Sequence, residues 1–227
     1  LMLNKTRLLT PGPTPLPERV RLALAHDMIH HRKSEFKALM LRVQERLHVL
    51  FGTEGPVLPL SCSGTGAMTA AVHGLFTPGE KVLAIEGGKF GQRWSSIARQ
   101  RGLVAVPLEI PWGQAVTPEA VRQALDADPA IRGVLAQLSE TSTGVLHPVE
   151  AIARETRARD GLLVVDGISG VGLSPCPMDA WGLDCLLTGS QKGLMLPPGL
   201  ALLALSSRAW RKAETLDSGC FYFNLPK

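Results

Sequence analysis

Seven short apolar segments alternate with helical patterns along this chain, and that alternation restricts the fold more than any other feature. The apolar segments predict buried strands at residues 57–60, 81–85, 103–108, 133–138, 162–165, 185–187 and 200–205. The helical patterns cover residues 18–29, 34–51, 65–76, 91–101, 118–126 and 149–159. Apolar strands linked by helices are typical of parallel sheets that are covered on both faces. The sequence therefore predicts an α/β fold with a mainly parallel seven-stranded sheet and helices on both faces.

Composition indicates a globular chain with a large core. Hydrophobic residues make up 45% of the 227 residues and charged residues 19%, which is too apolar for a disordered protein. The formal net charge of +4 is spread along the chain, so we expect no nucleic-acid partner. The four cysteines form no Cys-x-x-Cys pair, so we expect no metal site and a reducing, cytoplasmic location. The most apolar window, 194–205, is short and contains two prolines, so we expect no membrane span.

The first predicted strand is followed by a corner that suits an anion. Ser63, Gly64 and Thr65 combine a glycine with two hydroxyl side chains at the start of the predicted helix 65–76. Free backbone N–H groups and the helix dipole at such a corner attract negative charge. The segment lacks the lysine of a Walker A loop and the third glycine of a dinucleotide fingerprint. A plain strand–turn–helix corner therefore stays open as the alternative.

Two further strands end beside polar or aromatic residues. Phe90 follows the second strand in a glycine-rich loop, where its ring stacks on a flat ligand or packs at the start of a helix. Thr141 follows the fourth strand in a cluster of hydroxyl residues, 139–144. Such a cluster binds a ligand or caps a turn. Taken alone, each of these segments favours the structural role.

A carboxylate and an amine follow two later strands. Asp166 ends a fully apolar strand, where it either caps the next turn or pairs with a protonated ligand group. Lys192 lies among small residues before an apolar stretch, and it is either a solvated charge or a partly desolvated nucleophile. The carboxyl ends of parallel strands meet at one edge of a sheet, where ligands bind. Together with the anion corner and the aromatic ring, these two groups match the needs of pyridoxal 5′-phosphate (PLP).

Four segments resemble one family of PLP enzymes. They are TPGPTP (10–15) with HHRKSEF (30–36), SGTGAM (63–68), ETSTGVL (140–146), and VDGISGVG (165–172) with GSQKGLMLPPG (189–199). The chain resembles the class V, fold-type-I aminotransferases of the alanine/serine–glyoxylate aminotransferase group. Some members of that group are called soluble hydrogenase small subunit or putative aspartate aminotransferase.

The resemblance implies a role for each matching residue. Lys192 corresponds to the Schiff-base lysine, and Asp166 to the partner of the pyridine nitrogen. The other implied cofactor residues are Ser63, Gly64 and Thr65 at the phosphate, Phe90 stacked on the ring, Thr141 near the phenolic oxygen and Gln191 near the phosphate. Gly12 and Pro13 correspond to a loop over the substrate pocket.

The resemblance also implies an activity and a domain layout. We expect transamination between alanine, serine or aspartate and a 2-oxo acid such as glyoxylate or pyruvate, in a homodimer. Residues 1–20 are expected to form an extended segment over the active site, and residues 21–227 the PLP-binding large domain. The family's small C-terminal domain, which carries the arginine that grips the substrate carboxylate, is expected to be largely absent from this chain.

Three alternatives stay open. A PLP-dependent lyase or desulfurase is disfavoured because Phe90 stands where desulfurases carry a histidine. An inactive, truncated homologue acting as a binding module is the non-enzyme alternative. A nucleotide-binding Rossmann domain is supported by Glu86 at the end of the second strand and opposed by Thr69 at the third glycine position.

Overall fold

A seven-stranded sheet with helices packed around it forms the centre of the protein in the computed structural model, which describes residues 8–227. The strands are β1 Val57–Leu60, β2 Lys81–Glu86, β3 Val104–Glu109, β4 Ile131–Gln137, β5 Ser139–Glu140, β6 Val145–Leu146, β7 Leu162–Asp166, β8 Cys185–Gly189 and β9 Ala201–Leu205. The helices are α1 Glu18–Ala23, α2 Ser34–Phe51, α3 Gly64–Leu75, α4 Lys89–Gln100, α5 Pro118–Ala127, α6 Val149–Arg157, α7 Met178–Trp181 and α8 Ser207–Thr215.

The strand order of the main sheet is β1-β9-β8-β7-β4-β2-β3. Strands β8, β7, β4, β2 and β3 run parallel to one another, whereas β9 is antiparallel to both of its neighbours. The predicted α/β class and mainly parallel seven-stranded sheet are confirmed. A separate two-stranded hairpin of β5 and β6 follows β4 directly, and the sequence did not predict it.

Alternate residues along each central strand enter two hydrophobic clusters on opposite faces of the sheet. Val164 of β7 packs in the cluster under α3, α4 and α8, whereas Val165 packs in the cluster under α5 and α6. This arrangement confirms helices on both faces, and it follows from the two-residue repeat of a strand. The edge strands β1 and β3 are partly exposed, in contrast to the continuous burial expected for them.

The predicted helix at 18–29 is wrong in its second half, because α1 ends at Ala23. No residue of α1 is buried, so no packed face stabilises the additional turns that the pattern predicts. Helices α7 and α8 were not predicted. The Ser206 side chain caps α8 by accepting a hydrogen bond from the backbone N–H of Ala209 (3.2 Å).

Helix α2 is buried only near its carboxyl end and carries exposed apolar side chains elsewhere. Leu47 and Phe51 are buried in the core, and Gly52 ends the helix with a left-handed φ of 60°. Leu41 and Val49 are exposed. Between residues 8 and 227, no helix combines the length and apolarity that crossing a bilayer requires.

Candidate active site

Lys192 and Asp166 lie near each other at the carboxyl ends of neighbouring parallel strands. Asp166 is the last residue of β7, and Lys192 follows the end of β8. Burial lowers the pKa of Lys192, and the negative charge of Asp166 opposes that effect. A lowered pKa increases the fraction of neutral amine at a given pH, which is the nucleophilic form.

Asp166 is a buried carboxyl group without an ion-pair partner in the described part of the chain. Burial raises its pKa to about 7, and the nearby charge of Glu140 acts in the same direction. The backbone N–H of Ile168 donates to Oδ1 of Asp166 (2.8 Å) and opposes the shift, as do the charges of Arg93 and Lys192. Such a group is stabilised in its charged form by a cationic ligand atom.

The segment that precedes α1 lies across Lys192. Thr14 donates its backbone N–H to the carbonyl oxygen of Gln191 (3.0 Å) and its hydroxyl to that of Lys192 (3.1 Å). A Cβ atom built on Gly12 would lie 2.7 Å from Nζ of Lys192, so any other residue at position 12 would require the Lys192 side chain or this segment to shift. The structure thus brings Gly12 and its neighbour Pro13 to the predicted site, and it adds Thr14, which the sequence analysis did not single out.

The glycine corner forms the start of α3, as its sequence indicates. The Ser63 hydroxyl oxygen accepts from the backbone N–H of Gly66 (3.3 Å), and Gly64 lies against Ile168, two residues after Asp166. Thr65 Oγ1 accepts a hydrogen bond from Nη1 of Arg93 (3.0 Å). The predicted phosphate corner and the predicted carboxylate are therefore neighbours.

Glu140 holds the predicted ring-stacking residue in place. Its carboxylate is fully buried, and Oε2 accepts from the backbone N–H groups of Phe90 (3.1 Å) and Gly91 (3.0 Å) at the start of α4. Oε1 accepts from the N–H and the hydroxyl of Ser142. A Cβ atom on Gly88 would lie 2.5 Å from Cδ of Glu140, so the absence of a side chain at position 88 allows the backbone to approach the carboxylate this closely. Glu140 is not among the predicted site residues, although a carboxylate two residues after a predicted buried strand is a usable signal.

Thr141 and Gln191 complete the predicted set. The hydroxyl of Thr141 forms a hydrogen bond with the hydroxyl of Ser169, which lies in the turn after Asp166. Gln191 directly precedes Lys192, and its Oε1 atom is buried without a hydrogen-bond partner in the described chain. The structure thus brings the predicted residues of the glycine corner, the Phe90 loop, the Thr141 loop and the Lys192 segment to the carboxyl ends of the parallel strands.

A further buried amide lies beside Asp166. Gln137 ends β4 and is the register partner of Asp166 on β7. It is fully buried, and neither atom of its carboxamide finds a partner among the described residues. Buried polar atoms normally have partners, so unpaired groups on Gln137 and Gln191 are typical of a site that receives a polar ligand.

Family membership follows from sequence similarity over almost the whole chain. Residues 19–227 match the model of the family described as aminotransferase class-V. The chain belongs to the class-V aminotransferase family. This result confirms the resemblance inferred from the motifs around residues 63–68, 140–146 and 189–199.

Several class-V relatives have names that agree with the inferred group. The small subunit of a soluble hydrogenase from Synechococcus sp. is 39% identical over 100% of this chain and 60% of its own length. The L-aspartate–glyoxylate aminotransferase of Paracoccus denitrificans is 38% identical over 99% of this chain and 58% of its own. The crystal structure of an alanine–glyoxylate aminotransferase from Nostoc sp. superposes with a TM-score of 0.92 at 31% identity, covering 100% of this chain and 62% of that one. The chain therefore spans about three fifths of the length of these relatives.

The class-V family implies PLP as cofactor, and the residues present fit that group. A flat, phosphorylated pyridine aldehyde needs an anion corner, an aromatic face, a carboxylate and an amine. The corner at Thr65, the ring of Phe90, the buried carboxyl of Asp166 and the amine of Lys192 supply these groups. Arg93 contacts both Thr65 and Phe90, and its charge, like that of Lys192, acts on Asp166.

Proposed function

We propose that this chain binds pyridoxal 5′-phosphate through Lys192 and catalyses transamination between an amino acid and a 2-oxo acid. The amino donor is alanine, serine or aspartate, and the acceptor is glyoxylate or pyruvate. The proposal depends chiefly on the placement of a buried, unpaired carboxyl at Asp166 near the desolvated amine of Lys192. The family match and the names of the class-V relatives support the substrate classes.

When bound, PLP supplies an aldehyde that condenses with amines and a ring that withdraws electrons from the Cα–H bond of an amino acid. Lys192 presents its Nζ amine to that aldehyde, because burial favours the neutral form of the amine. The carboxylate of Asp166 holds a proton on the pyridine nitrogen by opposite charge.

The remaining residues position these groups. Lys192, once its amine is free, serves as the general base that removes the proton from the substrate Cα atom. Phe90 supports the ring through its aromatic face, and Ser63, Gly64 and Thr65 direct donors at the phosphate. Thr141 and Gln191 provide polar neighbours. Gly12 and Pro13, on the segment that lies across Lys192, border the substrate.

The proposal is tested by trapping the cofactor on its lysine. Borohydride reduction of the protein with PLP should give a stable adduct, and peptide mapping should place it on Lys192. Lys192→Ala should lose the adduct, whereas the control Lys89→Ala, which removes an exposed lysine beside the site, should keep it. An unchanged adduct in Lys192→Ala contradicts the assignment. Absence of bound PLP in the parent chain would favour the binding-module alternative. If PLP is bound, a panel of amino donors with glyoxylate and pyruvate as acceptors defines the substrates.

We also propose that the chain forms a homodimer. The resemblance to fold-type-I enzymes supports this proposal, and so do the exposed apolar side chains of Leu41 and Val49 on α2. Sedimentation equilibrium gives the mass directly, and a monomer at micromolar concentration would contradict the proposal.

The four cysteines, Cys62, Cys176, Cys185 and Cys220, are unpaired in the structure. They support our proposal of a reducing, cytoplasmic location.

A further inference from the structure

Arg93 connects two parts of the candidate site that the sequence analysis treated separately. It lies on α4, three residues after Phe90, so both side chains project from the same side of the helix. Its guanidinium carbon is 4.7 Å from the centroid of the Phe90 ring. Its Nη1 atom donates to Oγ1 of Thr65 in the glycine corner (3.0 Å). Arg93 thus places a positive charge between the aromatic face and the anion corner.

This guanidinium has no carboxylate partner within ion-pair distance in the described part of the chain. It is partly buried, and the hydrogen bond to Thr65 uses one of its five N–H donors. A guanidinium carries a permanent positive charge, and its unused N–H donors form strong hydrogen bonds with anions. The free donors and the charge of Arg93 are therefore available to an anionic ligand at the corner.

The glycine corner by itself supplies little charge for a phosphate. The amino end of α3 carries about half a positive charge, whereas a phosphate monoester carries close to two negative charges at neutral pH. Ser63, Gly64 and Thr65 have no ionised side chain. Because Oγ1 of Thr65 accepts from Arg93, the hydroxyl hydrogen of Thr65 is free to be donated to a ligand.

We infer that Arg93 is a binding residue for the phosphate group of the cofactor, supplying the cation that the glycine corner lacks and orienting the Thr65 hydroxyl toward that anion. The inference rests on the proposed function, since it assigns a further residue to the same site. Arg93 selects phosphorylated over unphosphorylated pyridoxal, and its effect is absent when the ligand carries no phosphate.

The test compares PLP with pyridoxal, which has the same ring and aldehyde without the phosphate. Dissociation constants of both ligands are measured by absorbance titration of the cofactor-free protein and its variants. Arg93→Gln should weaken PLP binding about ten- to hundredfold, as expected for loss of a charge-assisted contact, and change pyridoxal binding less than about twofold. Arg93→Lys keeps the charge without the forked geometry, so it should lie between the parent and Arg93→Gln.

The control is Arg99→Gln, which removes an exposed arginine from the same helix and should leave both affinities unchanged. Equal losses for PLP and pyridoxal in Arg93→Gln would overturn the inference, because Arg93 would then act through Phe90 or Asp166. Unchanged PLP affinity in Arg93→Gln would overturn it as well. If Arg93→Gln does not fold, the ratio of PLP to pyridoxal affinity in Arg93→Lys decides. Failure of the parent chain to bind PLP would instead contradict the proposed function.

Discussion

The backbone N–H of Phe90 donates a hydrogen bond to the carboxylate of Glu140 across 3.1 Å, although the two residues are 50 positions apart in the chain. The same carboxylate receives the N–H of Gly91 and two donors from Ser142. A buried anion at the amino end of α4 is favoured by the helix dipole. Glu140 therefore joins the predicted ring-stacking residue to the loop that carries Thr141.

Replacing Glu140 should loosen that connection. Glu140→Ala leaves four donors without their acceptor and should lower the free energy of unfolding by about 3 kcal/mol, measured by urea denaturation. PLP and pyridoxal affinities should both fall, because displacement of Phe90 affects the ring rather than the phosphate. The control Glu150→Gln breaks an exposed ion pair with Arg154 and should change stability by less than about 0.5 kcal/mol. Equal denaturation midpoints for Glu140→Ala and the control would refute the role of Glu140.

Asp166 should reduce the stability of the cofactor-free protein at neutral and higher pH. Its folded pKa of about 7 lies above the ordinary value of 3.8, so the folded state binds more protons than the unfolded state between these values. The contribution of this group to stability therefore falls as pH rises from about 4 to about 7. Asp166→Asn should accordingly stabilise the cofactor-free chain at pH 8, by on the order of 4 kcal/mol, and the gain should shrink toward pH 5.

The matching measurement is urea denaturation of Asp166→Asn and the parent chain at pH 5 and pH 8. Asp179→Asn, which replaces an exposed carboxylate, should show no such pH-dependent gain. PLP affinity of Asp166→Asn should fall, because the variant lacks the charge that favours a protonated pyridine nitrogen. A variant that is less stable than the parent at pH 8 would show that Asp166 is not an uncompensated buried acid.

A side chain at Gly12 should disturb Lys192. Gly12→Ala introduces a Cβ atom 2.7 Å from Nζ of Lys192, so either the amine or the segment across it has to move. The atoms that have to move belong to the end of a flexible side chain, so we expect little change in folding stability, but PLP affinity should fall about tenfold because the amine is displaced. The measurement is titration of each variant with PLP. The control is Gly55→Ala, where the nearest atoms lie 3.5 Å from the new Cβ, so this variant reports any general effect of replacing glycine by alanine. Equal PLP affinity in the two variants would contradict the prediction, because it would show that the new Cβ atom does not displace the Lys192 amine.

Local patterns in the sequence predict much of the fold. The main-sheet strands were predicted from apolar runs, and Asp166 and Lys192 were singled out because they follow such runs. The end of α1 was placed wrongly, because periodicity from Glu18 to Ile29 does not reveal whether a core lies opposite the helix. The grouping of the predicted site residues was inferred from the rule that parallel strands end at one edge, and the structure brings them together there.

The amino-acid sequence by itself determined the α/β class, the alternation of strands and helices and the residue types needed for a PLP site. These properties depend on side chains within a few positions of one another, so local patterns in the sequence are enough to predict them. Only the tertiary structure decided that β9 runs antiparallel, that Glu140 holds Phe90 and that Arg93 reaches Thr65. Such pairings join distant parts of the chain, and they are set by packing and by hydrogen bonding of buried polar groups, which local periodicity does not encode.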